Sequence, residues 1–482
     1  MKKRDFDRRR FLKNSAKLVA GATAAASIPA RLVTATSDDH RALNDPSEQS
    51  DNCDSDFEFD NWDYSLHCEP KSYCEPRSEA EVVDIVKQTY VRGGVIRAVG
   101  AGHSWSPLVP TSDTLISLRK LKTAITVDTA KMLATVPAGM RIKDVIKVLR
   151  ANGLGMENLG SITRQRIAGA ISTGTHGTGL HIGNLSTQIK SMNLINGVGQ
   201  IRVLSEQDPE FAAARISLGT LGIISQVTIK CRKDYNLLYR SEHRPFKELQ
   251  NILNYDLNNN ERLRLYWFSW IPDDIQVMTM NPTTAAATKE SASAQNPTVQ
   301  AVARDAYWQS LGVKVESNER RGSKARLTWF NEERVKPYDE ALTVLMPPPH
   351  QESEYAIPIK NALKAIEALR NLIIKEKRYL DLILVEIRFV AQDDIMLSPS
   401  HDGPVCYVGG YIFGQLNAKA FFENYEQRMK RFGGRPHWGK HLTLSQEEAR
   451  DRYPKFDTFN RIRRELDPKG IFANDFIRNL FG

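Results

Sequence analysis

Residues 98–107 read AVGAGHSWSP, and residues 167–179 read IAGAISTGTHGTG. Both are glycine-rich turns carrying a histidine and hydroxyl side chains. Closely spaced glycines let backbone N–H groups approach an anion, and Ser and Thr hydroxyls add donors. Neither stretch has the GxxxxGK[ST] spacing of a P-loop, and neither is the GxGxxG turn that opens a dinucleotide-binding helix. Taken singly, each is equally a tight turn in a β-rich domain. Taken together, they describe a pyrophosphate held between two loops.

The flanking sequence sets these loops in an α+β frame. VIRAVG reads as a strand running into the first loop. Upstream, Ser78-x-x-Glu81 is a capping box opening an amphipathic run of Val82, Val83, Val86 and Tyr90, which Gly93-Gly94 closes. LISLRKL, AITVDT and MLATVPAG read as short strands, and RIKDVIKVLRANG as a helix ended by Asn152-Gly153. IKSMNLINGVG, QIRVLS and LGIISQVTIKC are further strands. Residues 60–235 therefore predict a compact α+β domain. Residues 236–436 predict a second α+β domain, with a long helix near 356–378 and a strand, DLILVEIRFV, at 381–390. Residues 281–325 are rich in Ala, Thr, Ser, Lys and Asn and read as an insertion or surface loop. Residues 437–482 form a tail containing HWGKH, the helix FDTFNRIRREL and the turn DPKG.

The chain of 482 residues has a formal charge of +9, but the charge is unevenly spread. Residues 1–35 hold nine Lys and Arg against Asp5 and Asp7, leaving only about +2 for the rest. That argues against a nucleic-acid partner. The same segment has export-signal anatomy: Arg8-Arg9-Arg10-Phe11-Leu12-Lys13 precedes a mild Ala/Gly stretch too short to span a membrane. The arginine run resembles the twin-arginine type, so export to a periplasm or out of the cell is expected, with cleavage after Ala30 or Ala35. Residues 36–59 read as a polar linker. Of five cysteines, Cys53, Cys68 and Cys74 cluster near the mature N-terminus, where one disulfide fits an oxidising compartment. No spacing fits a zinc site. His437 and His441 stand four apart, but Gly439 interrupts the supposed helix and no third ligand follows.

VGAGHSWSP, IAGAISTGTHGTG and the later HWGK together resemble the aldonolactone oxidase family of vanillyl-alcohol-oxidase-type flavoproteins, which includes sugar-1,4-lactone oxidases and alditol oxidases. The resemblance runs from about residue 60 to the C-terminus, apart from 281–325. It implies a two-subdomain FAD-binding domain, a cap domain with an antiparallel sheet, and a final segment returning to the flavin. His103 matches the histidine that bonds covalently to FAD in many members. Gly100, Ala101, Gly102 and Ser104 match the pyrophosphate loop; Ser161, Gly169, Thr173, Thr175 and Gly177 match the second FAD-contacting loop. This chain has Gly-Ala-Gly where many relatives have Gly-Ser-Gly, which removes one hydroxyl.

In DLILVEIRFV, side chains alternate, so Glu386 and Arg388 share one face while Ile383, Val385, Ile387 and Phe389 point the other way. Two charges inside an apolar run need a reason, since desolvating them costs several kcal/mol. A structural ion pair satisfies the pattern; the resemblance makes it the active-site pair facing the flavin. Arg388 would then orient the substrate and stabilise negative charge, while Glu386 would accept substrate hydroxyls and fix the arginine. The resemblance places His437 against the flavin and Lys440 beside the reacting carbon, where its charge lowers the substrate hydroxyl's pKa. The implied activity is oxidation of a sugar-derived alcohol by FAD, with an aldono-1,4-lactone such as D-arabinono-1,4-lactone ahead of an alditol. Dioxygen is the expected acceptor; a dehydrogenase using another acceptor stays open, with access governed by small residues such as Ala138. A flavin-binding protein without catalysis is the reading from another class.

Overall fold

The computed structural model describes residues 53–289, 332–344, 350–376, 383–413 and 418–482. The signal, most of the linker and most of 281–325 lie outside them. The polar stretch read as linker to residue 59 is already structured at Cys53–Asp54 (β1), which pairs antiparallel with Ser72–Cys74 (β2). A Cys53–Cys74 disulfide joins them, leaving Cys68, Cys231 and Cys406 free.

The capping box starts α1, Glu79–Arg92: the Ser78 side chain accepts the Glu81 N–H at 3.3 Å. The reciprocal half differs from expectation, because Glu81 accepts the N–H of Arg77 instead. α1 buries Val82 and Val86 and leads to Ile96–Val99 (β3), which lies parallel to Thr114–Ser117 (β4). This sheet runs β1-β2-β4-β3. The predicted strand LISLRKL stops at Ser117, where Leu118–Lys120 make a single 3₁₀ turn. Next come Thr126–Asp128 (β5), Leu133–Pro137 (β6), Ile189–Ile195 (β7), Ile201–Ser205 (β8) and Ile223–Lys230 (β9). They form an antiparallel sheet ordered β8-β7-β9-β6-β5. Ile142–Ala151 (α2) buries Ile142, Val145, Ile146 and Leu149, the 3.6-residue stripe its sequence shows. The second glycine stretch begins as a one-and-a-half-turn helix, Ile167–Ser172 (α3), before it opens into a loop.

Among the described residues from 236 to 436, one eight-stranded antiparallel sheet forms. Its strands are Asn236–Pro245 (β10), Arg262–Phe268 (β11), Asp274–Thr283 (β12), Glu332–Pro337 (β13), His350–Pro358 (β14), Ile383–Val390 (β15), Val405–Phe413 (β16) and Arg435–Pro436 (β17). The spatial order is β13-β10-β12-β11-β15-β16-β14-β17, so β15 is interior. Ala362–Lys375 (α4) and Lys419–Arg431 (α5) cover one face. Ile383, Val385, Ile387 and Phe389 pack into that apolar layer. The helix expected over 356–378 is therefore shorter: its first residues belong to β14, whose Ser-Glu-Tyr-Ala-Ile alternation has a period of two.

The tail packs on the first domain. Trp438, Phe456, Phe459, Ile462, Phe472, Ile477 and Phe481, from the tail that holds Gln446–Arg452 (α6), Phe456–Leu466 (α7) and Asp475–Phe481 (α8), share one core with Val82, Ile96 and Val136. Asn474 caps α8 by accepting the Ile477 N–H at 3.1 Å, and its amide donates to the carbonyls of Pro107 and Pro110, each at 2.9 Å. One buried side chain thus holds the exit of the first glycine loop. Among the described residues no helix is long and apolar enough to cross a membrane. Replacing Asn474 with Ala removes the cap and leaves two part-buried carbonyls without their donor, so denaturant unfolding should show a loss of about 1–3 kcal/mol. An unchanged midpoint would mean the loop does not depend on this residue.

Candidate active site

The two glycine loops meet backbone to backbone. A Cβ built on Gly100 would lie 3.7 Å from the Gly169 Cα, and one on Gly169 would lie 3.8 Å from the Gly100 Cα. Side chains at either position would fill the approach between the loops. Gly102 has φ +69°, a left-handed conformation that favours glycine. These loops form one wall of a cavity of about 1000 Å³, the upper end of the range of about 300–1,000 Å³ for ligand pockets. The uncovered face of the eight-stranded sheet forms the opposite wall.

Of the residues singled out from sequence, Gly100, Ala101, Gly102, His103, Ser104, Ser161, Gly169, Thr173, Thr175, Glu386, Arg388, His437 and Lys440 all line this cavity. Gly177 does not. A Cβ there would lie 2.0 Å from Asn158 Oδ1 and 2.3 Å from the Leu159 carbonyl, so the loop is packed against its own domain. The Thr173 hydroxyl donates back to the Gly169 carbonyl at 3.1 Å, so it offers the cavity no donor. Residues 437–441 form a turn, not a helix, and the i, i+4 zinc geometry is absent from them.

The HWGK turn is stitched to the first glycine loop. The Trp105 N–H donates to the Gly439 carbonyl at 2.9 Å, and the Ser106 hydroxyl donates to the Trp438 carbonyl. On its other side, the turn is anchored to β14: the N–H groups of His437 and His441 donate to the carbonyls of Glu354 and Glu352, each at 2.9 Å. These bonds bracket Lys440, whose Nζ sits against Glu352 and 4.6 Å from the Trp105 ring centre.

Antiparallel register places the charged side chains in rows. Tyr266, Glu386, Gly409 and Glu354 lie abreast across β11, β15, β16 and β14. A Cβ on Gly409 would lie 3.4 Å from the Glu354 Cγ and 3.5 Å from the Tyr411 ring, so the glycine leaves room for those two side chains. Arg388 Nη2 is 2.7 Å from Glu354 Oε1 and 3.6 Å from Glu386 Oε2. Its Nη1 donates to the Ser161 hydroxyl and the His176 carbonyl, both at 3.3 Å. The Arg388 Nε–H is buried with no acceptor among the described residues. Burial disfavours this charge, yet Glu354 and Glu386 hold the guanidinium well above its ordinary pKa. Burial likewise pushes both carboxyls up, and Arg388 overrides it, leaving Glu354 and Glu386 below the usual range.

Glu386 is more fully engaged than the sequence reading supposed. It accepts from Tyr411 at 2.5 Å, Tyr266 at 3.2 Å and Ser161 at 3.3 Å. With both oxygens engaged, it fixes Arg388 and the tyrosines as well as facing the cavity. Sequence reasoning missed Glu352, Glu354 and Tyr411, all lining the cavity. Glu-Ser-Glu-Tyr-Ala-Ile in β14 carries the same two-residue charge alternation as Glu-Ile-Arg, and that was the available signal.

His103 and His437 are imidazoles kept neutral. Burial, then the nearby Lys440 and Arg164, pushes His103 down to about 4, and its Nδ1 has no hydrogen-bond partner. Burial pushes His437 down to about 3, and its Nδ1 accepts the Gly439 N–H at 3.0 Å. His176, Glu354 and His437 bring ligand atoms within 4.8 Å of one another, a spacing a metal ion could use, but Glu354 already carries the Arg388 charge. The set of glycine backbones, a neutral imidazole and a wall of fixed charges fits FAD: Gly100–Ser104 and Gly169 would hold its pyrophosphate, and His103 and Arg388 would face its ring system.

The chain is similar to known proteins. Residues 70–205 match the FAD binding domain family, and residues 227–480 match the D-arabinono-1,4-lactone oxidase family. An L-gulono-1,4-lactone dehydrogenase of Mycobacterium tuberculosis is 31% identical over 435 residues, covering 88% of this chain and 99% of its own. An L-gulonolactone oxidase of Scyliorhinus torazame is 30% identical over 443 residues, covering 88% and 98%. Cholesterol oxidase from B. sterolicum superposes with a TM-score of 0.73 at 16% identity, over 92% of this chain and all of its own, which shows a shared fold.

The neutral imidazoles carry a pH signature. His437 titrates near 6.5 when unfolded and near 3 when folded, so the unfolded state binds more protons between those values and stability is lost as pH falls through that window. Urea unfolding at about pH 7 and about pH 5 should show this loss, and His437→Gln should flatten it; an equal slope in the variant would exclude a buried neutral His437. From its cofactor loops to its last helix, the chain belongs to the D-arabinono-1,4-lactone oxidase family and is an FAD-dependent oxidoreductase.

Proposed function

We propose that the protein oxidises a hydroxyl-bearing carbon of a sugar-derived 1,4-lactone, with FAD tethered through His103 and dioxygen as the acceptor. The observation that carries this reading is the convergence of Arg388, Glu386 and Lys440 on the cavity that both glycine loops line. The names of the matched relatives, lactone oxidases and a lactone dehydrogenase, support the substrate class. FAD, when bound, supplies the hydride acceptor and returns the electrons to the oxidant.

The chain's own residues do the rest. Glu354 and Glu386 hold the Arg388 guanidinium rigid, leaving its Nε–H as an uncommitted donor toward developing negative charge. Lys440, bracketed by two backbone bonds, sets a positive charge where a substrate hydroxyl must lose its proton. Such fixed groups need no reorganisation as charge develops. The unprotonated His103 has a lone pair available for bonding to the cofactor, and its orphaned Nδ1 supports the covalent reading. Ala138, fully buried beside Gly139, lines the same cavity and bears on oxygen access. Export through the arginine-rich N-terminus completes the proposal and accords with the Cys53–Cys74 disulfide.

Acid-denatured holoprotein should carry its yellow colour into the pellet, and His103→Ala should release it; free flavin from the wild type would end the covalent reading. Arg388→Ala should keep the flavin and lose about 100- to 1,000-fold in turnover with lactone. A peroxide-release screen over lactones, alditols and free sugars identifies the substrate. Anaerobic reduction followed by air tests the acceptor, since slow reoxidation points to a dehydrogenase.

A further inference from the structure

Three buried carboxylates face the cavity, and they differ in what occupies them. Glu386 accepts from three hydroxyls. Glu354 takes Arg388 on one oxygen, and on the other His176 Nε2 at 3.4 Å. Glu352 is only 1% exposed; its Oε2 meets Lys440, with His350 Nε2 at 3.7 Å from the same oxygen. Glu352 Oε1 is buried with no hydrogen-bond partner among the described residues. An unsatisfied buried carboxylate oxygen is costly, and a donor that arrives with a ligand relieves the cost.

We propose that Glu352 is a catalytic residue, its Oε1 receiving the hydroxyl proton of the substrate as that carbon is oxidised. This rests on the function proposed above. The substrate O–H bond breaks and an Oε1–H bond forms. The O–H electron pair becomes the second C–O bond as the C–H pair leaves as hydride to FAD. The products are a carbonyl compound, a neutral Glu352 and the reduced cofactor. Lys440 holds the other carboxylate oxygen, and the His441 N–H anchors the Glu352 carbonyl at 2.9 Å, so Oε1 has a fixed direction. Lys440 overrides the upward push of burial and keeps Glu352 below the ordinary range, so the group is ionised before substrate binds. A weak base suffices, because departure of hydride turns the hydroxyl into a strongly acidic protonated carbonyl.

The test uses holoprotein of the wild type, Glu352→Gln, Glu352→Ala and Glu352→Asp with a lactone that reduces the wild type. Calorimetry should show lactone affinity within about tenfold of the wild type for the Gln and Ala variants, whose melting curves should stay near wild type. Anaerobic stopped-flow should show flavin reduction slowed by about 100-fold or more in both, with formate restoring the Ala variant in proportion to its concentration. Reduction of Glu352→Gln within about threefold of the wild type overturns the proposal, as does a Glu352→Ala protein that binds lactone but ignores formate. Should those two variants lose flavin, Glu352→Asp decides. An intermediate reduction rate with an enlarged solvent isotope effect supports the role; wild-type values refute it. A wild type that no lactone or polyol reduces removes the functional reading itself, and this proposal with it.

Discussion

Everything at the site depends on keeping one guanidinium buried. Arg388 is 4% exposed and lies between Glu386, two residues back on its own strand, and Glu354 of β14, one strand beyond β16. Desolvating a charge costs several kcal/mol unless its partners are well placed. The partners come from different parts of the chain: two carboxylates from the eight-stranded sheet, and the Ser161 hydroxyl and His176 carbonyl from the cofactor-loop domain. The arginine therefore couples the sheet to the loop domain. Backbone bonds at the end of the same strand strengthen that seam, with the Gly179 N–H on the Phe389 carbonyl at 2.7 Å and the Ala391 N–H on the Ile182 carbonyl at 3.0 Å.

The HWGK turn makes the second seam. It is bonded to the first glycine loop through Trp105 and Ser106 and to β14 through Glu352 and Glu354. Lys440 is thus placed by backbone geometry from two domains, while Trp438, buried and donating to the Leu397 carbonyl at 2.7 Å, fixes the turn in the core. A lysine on a flexible stem is held in one position only by such bracing, because its rotamer freedom would otherwise blur it.

Much of this could be read from local pattern. Alternation in Glu-Ile-Arg puts Glu386 and Arg388 on one face and Ile383, Val385, Ile387 and Phe389 on the other, since a strand's period of two is local geometry, while their place toward the cavity came only with the family resemblance. The glycine loops were legible for a similar reason. Glu352 and Glu354 lie ahead of the helix expected over 356–378, in a stretch the sequence assigns to no element, because the apolar run of Ala362–Lys375 masks where β14 ends. The role first given to Glu386 shifted once Tyr266, Tyr411 and Ser161, distant in sequence, were seen to occupy its oxygens.

The sequence by itself determined the α+β class, the two cofactor loops, the charged strand and the HWGK turn, because turn chemistry and alternation are written within a few residues. Only the tertiary structure decided that Gly177 packs against Asn158 away from the cavity, that Thr173 bonds to its own helix, and which of three carboxylates keeps an open oxygen. Those outcomes turn on hydrogen-bond competition between segments hundreds of residues apart. A lone pair is free or taken according to what the fold brings against it, and no local spacing records that.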